Sequence, residues 1–98
     1  MRGKSLTSGA SAAWQVYIVR CADDSLYTGI TRDVTRRITE HNADSGAGAS
    51  YTRSRRPVKL VYLEPAADRS VASRREYQIK QLSRGEKLAL IAKGNTDD

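Results

Sequence analysis

The sequence predicts an α+β domain in which helices flank one three-stranded antiparallel sheet. Its 98 residues suffice for a single modest core. β-Branched and aromatic residues concentrate in three short segments, and turn residues separate the first two of them. Apolar residues recur at helical spacing in the segments between and after these strands. We therefore expect the element order β-β-α-β-α-α in a single domain.

The first two strands are predicted to form a hairpin. Residues 14–20 and 26–30 have the composition of strands, and residues 22–25 between them have the composition of a turn. A third strand is predicted over residues 58–63, and we expect Pro65 to end it.

The first helix is predicted between the second and third strands. It begins at Thr31 or Asp33, either of which can cap it, and it ends near residues 44–46, where Asp, Ser and Gly follow one another. The connection over residues 43–56 contains glycines and small residues. Loops of this length in small domains are usually functional or disordered.

Two further helices are predicted after the third strand. Asp68 can cap the second helix, and Ser83 and Glu86 have the spacing of a capping box for the third, which ends at Gly94. The apolar stripe of the second helix is predicted to comprise Val71, Ala72, Ile79 and Leu82. We expect a flexible tail over residues 1–12, the folded domain over residues 13–94 and a short tail over residues 95–98.

The charge of the chain favours an anionic partner. Seventeen Lys and Arg against eleven Asp and Glu leave a net charge of +6, and most of the cations are arginine. The planar guanidinium suits bidentate contacts with phosphate. Nucleic acid is the commonest large polyanion, so we expect it as the partner.

Other classes of protein are excluded by composition. One cysteine and one histidine rule out a disulfide within the chain, a cysteine zinc cage and a multi-histidine metal site. The longest apolar stretches are too short for a membrane span. Residues 1–13 lack the apolar middle of a signal peptide. We expect a cytoplasmic protein that does not bind membranes.

Two tyrosines occupy the predicted hairpin, Tyr17 on the first strand and Tyr27 on the second. Tyrosine is a good strand former, so covering the sheet is the simplest interpretation of the pair taken alone. Gly29 follows Tyr27 by two residues, and a glycine at a strand end often marks a close approach to the backbone. Gly29 is therefore a candidate substrate contact.

The first helix carries a second pair of candidates, Arg37 and His41, which are neighbours at i and i+4. At about 100° per residue, Arg37 lies at the edge of the face formed by Val34 and His41, whereas Arg36 points to solvent. Arg37 is a candidate phosphate ligand with His41 beside it. Alternatively, His41 is an ordinary surface residue favoured by the helix end.

Glu76 lies at the margin of the apolar stripe on the second helix. In its simplest role it pairs with Lys80 at i+4. It is also a candidate ligand for one Mg²⁺, which often needs only one or two protein carboxylates.

The connection before the third strand contains an aromatic residue followed by a basic run. Charge runs are usually solvated, but an aromatic side chain among arginines on a loop suits base stacking and phosphate contacts. The candidate nucleic-acid contacts are Tyr51, Arg53, Arg55 and Arg56.

Taken together, these residues resemble the signature of the GIY-YIG nucleases. Val16 stands where the first half of the signature has its glycine, and Thr28 stands at the middle position of the second half. Both tyrosines and the second glycine remain. The resemblance runs from about Trp14 to Lys93. Within that family, the chain is similar to the small single-domain bacterial branch called UPF0213 or YhbQ-like. The matching positions are Tyr17, Tyr27, Gly29, Arg37, His41 and Glu76.

The resemblance implies a GIY-YIG fold and a metal-dependent nuclease that hydrolyses phosphodiester bonds, with DNA as the expected substrate in a repair or recombination role. Either Tyr17 or Tyr27 would act as general base, with Arg37 on the phosphate and His41 relaying a proton or orienting a tyrosine. Glu76 would hold one Mg²⁺ or Mn²⁺. The alternative is a catalytically weak nucleic-acid-binding module with the same fold. We favour a monomer.

The resemblance also constrains the hairpin. If Asp23 and Asp24 formed a two-residue turn, Tyr17 would oppose Ile30 and the two tyrosines would lie on opposite faces of the sheet. A shared site requires an odd loop or a β-bulge, so that Tyr17 lies opposite or near Gly29.

Overall fold

The structure is a computed structural model that describes residues 13–43 and 49–95. The predicted tail over residues 1–12, the predicted helix end at residues 44–46 and residues 96–98 of the second predicted tail lie outside the described residues. The elements are β1 (Trp14–Arg20), β2 (Leu26–Thr31), α1 (Val34–Asn42), α2 (Ser50–Arg53), β3 (Lys59–Ala66), α3 (Arg69–Lys80) and α4 (Arg84–Asn95). The predicted α+β order is confirmed, with the short helix α2 added.

The three strands form one antiparallel sheet in the order β2-β1-β3. Because β1 is central, both of its faces are buried. Val16 and Ile18 face a cluster that includes residues of α3 and α4, whereas Tyr17 and Val19 face a second cluster that includes residues of α1. The helices therefore cover the sheet from both sides.

The third strand is longer than predicted, since β3 spans Lys59–Ala66 and does not end at Pro65. It pairs only with β1 and lies at the edge of the sheet. Proline is tolerated there because its missing N–H removes no bond that an outer neighbour would need. A β-bulge interrupts the ladder between Ile18 and Val19.

The hairpin between β1 and β2 closes through an odd loop. The Cys21 N–H donates to the carbonyl of Ser25 at 2.8 Å, and the Asp24 N–H donates to the carbonyl of Cys21 at 2.8 Å. Asp24 has a φ of 69°, the left-handed conformation that commonly ends a three-residue hairpin loop. This loop places Tyr17 opposite Gly29, as the shared-site hypothesis requires.

The helix starts follow the predicted capping chemistry. Of the two candidates for α1, Asp33 is the cap, and its Oδ1 accepts from the Arg36 N–H at 3.1 Å. Asp68 accepts from the Val71 N–H at 2.9 Å. In α4 the capping box is reciprocal, because the Glu86 N–H donates to Ser83 Oγ and the Ser83 N–H donates to the Glu86 carboxylate.

The apolar stripe of α3 is only partly as predicted. Ala72 and Ile79 are fully buried. Val71 is 37% exposed, so its predicted place in the stripe is wrong. Val71 lies about 80° around the helix from Ile79, outside the narrow face that contacts the sheet.

Among the described residues, no helix has the length and hydrophobicity to cross a membrane.

Candidate active site

Tyr17 and Tyr27 project from β1 and β2 toward the single histidine of the chain. Tyr17 is 1% exposed, and its hydroxyl lies 2.9 Å from His41 Nε2. Both tyrosine rings meet the imidazole edge-on, with centroid distances of 5.9 Å for Tyr17 and 5.5 Å for Tyr27. The structure thus brings together three of the predicted catalytic residues on the α1 side of the sheet.

The hydrogen bonds around His41 fix where its proton lies. His41 Nδ1 is 2.8 Å from Thr52 Oγ1, and the Thr52 hydroxyl donates its own hydrogen to the carbonyl of Ala49 at 3.0 Å. Thr52 Oγ1 therefore accepts, and Nδ1 carries the imidazole hydrogen. This leaves a lone pair on Nε2 to accept the Tyr17 hydroxyl. The polar chain runs from Tyr17 through His41 to Thr52, and all three residues are buried.

Burial governs the protonation of this chain. It lowers the pKa of His41 below its ordinary value, and the charge of Arg37 lowers it further, while Glu40 acts in the opposite direction. Burial also raises the pKa of Tyr17, which the hydrogen bond and charge of Arg37 partly oppose. At neutral pH both side chains are uncharged, with the proton on Tyr17 and an unprotonated Nε2 on His41 that accepts from it.

Gly29 makes room for Tyr17. The two residues are opposite each other in the β1–β2 ladder. A Cβ added at Gly29 would lie 2.5 Å from the Tyr17 hydroxyl oxygen and 2.6 Å from its Cζ. The missing side chain therefore lets the Tyr17 ring lie across β2 and reach His41. Contact of Gly29 with a substrate stays a prediction.

The two neighbouring arginines of α1 differ as predicted. The Arg37 side chain is 26% exposed and the Arg36 side chain 76%. Glu40 accepts from both, at 2.8 Å from Arg37 Nη1 and 3.1 Å from Arg36 Nε. Because Arg37 also hydrogen-bonds to Tyr17, Glu40 orients a guanidinium that adjoins the buried polar chain.

Glu76 reaches the same site from α3. Its side chain is 24% exposed and its Oε2 lies 3.2 Å from Lys80 Nζ, the predicted i,i+4 pair. Lys80 Nζ lies 5.8 Å from the centroid of the Tyr27 ring. The pKa of Tyr17 is raised mainly by burial, and the charges of Tyr27 and Glu76 raise it further, against the opposing effect of Arg37. The Glu76 carboxylate thus lies in the same candidate site as Tyr17 and Tyr27, which we call the tyrosine site.

The candidate site offers few protein ligands for a divalent cation. Within the described ranges, no group of three or more His, Cys, Asp and Glu residues could enclose a metal ion. Glu76 is a partly accessible carboxylate whose charge acts on the same tyrosine, Tyr17, as that of Arg37. Mg²⁺ commonly uses one or two carboxylates together with water and substrate phosphate. The residues therefore fit a cation that arrives with a phosphate, and Glu76 as its ligand remains a prediction.

The predicted nucleic-acid contacts are divided between an aromatic stack and the surface. Tyr51 stacks on Tyr27 with a centroid distance of 5.6 Å, and the Arg55 guanidinium lies 4.1 Å above the Tyr51 ring. Arg55 also donates to Asp23 of the hairpin loop at 3.0 Å. Tyr51 and Arg55 therefore extend the tyrosine site outward and fasten α2 to the hairpin.

The other two arginines of the basic run lie elsewhere. Arg53 is exposed at the end of α2, and Arg56 donates to the carbonyl of Ala43. The Asn42 side chain exchanges two hydrogen bonds with the backbone of Val58, at 2.7 and 3.1 Å, which ties the end of α1 to the residue before β3. Arg56 and Val58 therefore anchor the end of the segment over residues 49–58 to the end of α1.

The chain matches the family model described as "GIY-YIG catalytic domain" over residues 13–89. The chain belongs to the GIY-YIG family. Tyr17, Tyr27, Arg37, His41 and Glu76 all lie within the matched range.

Its relatives within the family come from bacteria and archaea. The chain is 66% identical over 79 residues to the UPF0213 protein DP2720 of Desulfotalea psychrophila, covering 81% of this chain and 71% of that protein. It is 53% identical over 79 residues to the UPF0213 protein SSP2268 of Staphylococcus saprophyticus, covering 81% and 94%. It is 56% identical over 76 residues to the UPF0213 protein VNG_2274C of Halobacterium salinarum, covering 78% and 96%.

Two solved structures share the fold of this GIY-YIG domain. The solution NMR structure of the UPF0213 protein BH0048 from Bacillus halodurans has a TM-score of 0.54 and 46% identity, covering 86% of this chain and 88% of that one. The solution NMR structure of the protein EF2693 from E. faecalis has a TM-score of 0.53 and 37% identity, covering 80% and 82%.

Sequence reasoning missed two residues of the GIY-YIG site, Thr52 and Glu40. Glu40 stands three residues after Arg37, so its i,i+3 spacing was a usable signal. Thr52 carries no such signal, because its hydrogen bond with His41 spans eleven residues and depends on how residues 49–58 fold back.

Proposed function

We propose that this GIY-YIG domain is a metal-dependent nuclease that hydrolyses phosphodiester bonds in nucleic acid. The observation that carries the proposal is the buried hydrogen-bond chain from Tyr17 through His41 to Thr52, with Arg37 beside it. A neutral histidine that accepts from a tyrosine hydroxyl offers a route for a proton. An arginine next to that hydroxyl offers a site for a phosphate.

Tyr17 is the better candidate for the general base, because its hydroxyl is the one bonded to His41. A tyrosine with a raised pKa is a poor base by itself. In our mechanism the attacking water gives a proton to the Tyr17 oxygen while the Tyr17 hydrogen passes to His41 Nε2. The imidazolium that forms donates from Nδ1 to Thr52, and Glu40 offsets the repulsion from Arg37.

Arg37 and Glu76 would act on the phosphate. Arg37 offers a guanidinium that Glu40 already orients, so little side-chain freedom is lost when the phosphate binds. Glu76 would hold one Mg²⁺ or Mn²⁺, which as a Lewis acid would stabilise charge on the phosphate oxygens. Lys80 would have to release the Glu76 carboxylate, or share it, for this to happen.

DNA is the substrate that we propose first, in a repair or recombination role in the cytoplasm, with a monomeric protein. Tyr51, Arg53, Arg55 and Arg56 would contact its bases and phosphates beside the site. Aromatic and arginine side chains near one another are typical of surfaces that bind single strands. The net charge of +6 supports an anionic partner of either DNA or RNA type.

A catalytically weak binding module is the second candidate. Two observations favour it: Tyr17 is 1% exposed, so a substrate must approach closely to reach its hydroxyl, and Glu76 already pairs with Lys80. Such a module would keep the affinity for nucleic acid and lack turnover.

A cleavage assay separates the two candidates. Labelled DNA and RNA in single-stranded, duplex and branched forms are incubated with the protein in Mg²⁺, in Mn²⁺ and in EDTA. We expect cleavage that requires the cation and that Glu76→Gln and His41→Ala each reduce by about a hundredfold or more. Binding in EDTA should be largely unchanged in Glu76→Gln. Binding without cleavage on every substrate would instead establish the weak module.

A further inference from the structure

A cavity of about 340 Å³ lies beside the candidate active site. It is formed where the first residue of β1, the end of β2 and the outer side of α1 meet. Its lining includes Trp14, Thr31, Arg32, Arg36, Arg37 and Glu40. The volume falls at the lower end of the range for small-molecule sites.

Arg37 connects the cavity with the reacting centre. It lines the cavity and also hydrogen-bonds to Tyr17, so a group held in the cavity lies one side chain away from the phosphate position. The lining holds three arginines against two carboxylates, Asp33 and Glu40, and this small excess of positive charge favours a ligand with an anionic part. Glu40 bridges Arg36 and Arg37 and keeps both guanidinium groups at the rim.

Trp14 supplies the aromatic surface of the cavity. It is partly buried, packs against the core cluster on the α3 side of the sheet, and has the Arg69 guanidinium 5.7 Å from its ring centroid. The indole is therefore held in place before any ligand binds. Stacking on an aromatic side chain is the interaction that single-stranded bases use most and that every base can make.

We propose that this cavity takes one unpaired nucleobase of the substrate, next to the phosphate that Arg37 binds. A base that is still paired and stacked in a duplex has no free face to lay on Trp14 unless it leaves the helix. The inference rests on the proposed function for its nucleic-acid ligand. It goes further in naming the substrate class: strands that are unpaired beside the cleaved bond.

Trp14 is the single tryptophan of the chain, so tryptophan fluorescence reports on the surroundings of this one cavity-lining residue. The protein is titrated in EDTA with single-stranded DNA and with blunt duplex of the same sequence. We expect the single strand to change the tryptophan emission in a saturable way and the duplex to leave it nearly unchanged. Equal changes with both, or none when the single strand saturates the protein, would overturn the proposal.

An abasic scan tests the same point with the unaltered protein. Single-stranded oligonucleotides that lack one base at successive positions are compared for affinity. We expect one position at which removal of the base weakens binding about tenfold. In Trp14→Leu the same removal should cost less than about twofold, whereas in Tyr77→Leu, which removes an exposed aromatic outside the cavity, the full penalty should remain.

A scan in which every position costs the same would contradict the cavity as a base site. If Trp14→Leu does not fold, as judged by circular dichroism, the scan and the fluorescence of the parent protein decide. These readouts are separate from turnover: cleavage without any tryptophan response would leave the nuclease and remove the base site. A tryptophan response without cleavage would keep the base site and remove the nuclease.

Discussion

At the scale of the residue, the chemistry depends on how neighbours act on the Tyr17 proton. Burial holds that proton on the phenol, Arg37 favours its release, and His41 Nε2 is placed to receive it. His41 can do so only while it is neutral, which burial ensures by lowering its pKa. Tyr17 therefore seldom ionises by itself, and His41 is unprotonated at Nε2 at neutral pH and can accept the Tyr17 proton.

The two arginines of α1 give the first residue-scale prediction. We expect Arg37→Ala to reduce kcat/KM by about a hundredfold or more, because it removes the guanidinium that adjoins Tyr17. Arg36→Ala removes an equal charge from a side chain that is 76% exposed and should cost less than about tenfold. Steady-state cleavage of one substrate by both variants checks this. Equal losses would contradict the assignment of Arg37.

The pH dependence of the activity gives the second residue-scale prediction. Because the pKa of His41 lies below its ordinary 6.5, activity should stay level as pH falls to about 6.5 and then decline as His41 becomes protonated. The carboxylate of Glu40 raises that pKa, so Glu40→Gln should move the decline to lower pH. Rates measured from about pH 5 to 8 test both statements. An acid limb that moves to higher pH in Glu40→Gln would contradict the role of His41.

The same group links pH to stability. The folded pKa of His41 is depressed, so the unfolded chain binds this proton more tightly than the folded one. The stability contributed by neutral His41 is present above its unfolded pKa and is lost as pH falls below about 6.5 toward the folded pKa. In His41→Asn this part of the pH dependence should vanish, which thermal unfolding at several pH values would show.

At the scale of the element, the odd hairpin loop does most to build the site. It places Tyr17 opposite Gly29, and the absent Cβ at Gly29 leaves the space that the Tyr17 ring fills. One residue fewer in the loop would turn one tyrosine to the other face of the sheet. The positive φ of Asp24 is therefore a requirement of the site as well as of the turn.

Gly29→Ala tests this arrangement. The new methyl would overlap the Tyr17 hydroxyl, so either the ring or the strand must move, and we expect a loss of about 1–3 kcal/mol in stability together with most of the activity. Gly85→Ala is the matched control, since its Cβ would meet only Ser83 Oγ at 4.0 Å, within helix α4. It should leave activity unchanged and stability equal or higher. Chemical denaturation and cleavage rates of both variants provide the comparison.

What the sequence predicted at this scale follows from local physics. Caps at Asp33 and Asp68 act within three residues, so composition was enough to find them. The continuation of β3 through Pro65 was missed, because only the strand order shows that this strand lies at the edge. Helix α2 was missed because four residues are too few for a periodic pattern.

The candidate site likewise contains some residues that the sequence predicted and others that it missed. Tyr17, Tyr27, Arg37 and His41 were proposed from a family pattern, and the structure brings them together. The hydrogen bond between Thr52 and His41 crosses residues that carry no periodicity, and it depends on the folding of a whole segment. Long-range interactions of this kind cannot be derived from the local sequence.

At the scale of the whole molecule, the net charge of +6 should make binding to nucleic acid depend strongly on salt. The dependence has a local and a global part. Each lysine or arginine that neutralises a phosphate releases counterions, whereas a distant cation contributes only through the overall field. Arg53 is exposed at the end of α2, while Arg55 is already bound to Asp23 and lies over Tyr51.

The salt dependence of the binding constant therefore gives the final prediction. Replacing Arg53 and Arg56 together by alanine should reduce the slope of log K against log salt by about 0.7–0.9 for each phosphate that the variant no longer neutralises. Arg55→Ala should change the slope less, because that guanidinium is already paired with the Asp23 carboxylate. The control replaces Arg84 and Lys87, which lie on α4 and remove the same charge from another part of the molecule. Equal changes in the control and the Arg53–Arg56 variant would mean that net charge, and not this surface, sets the affinity.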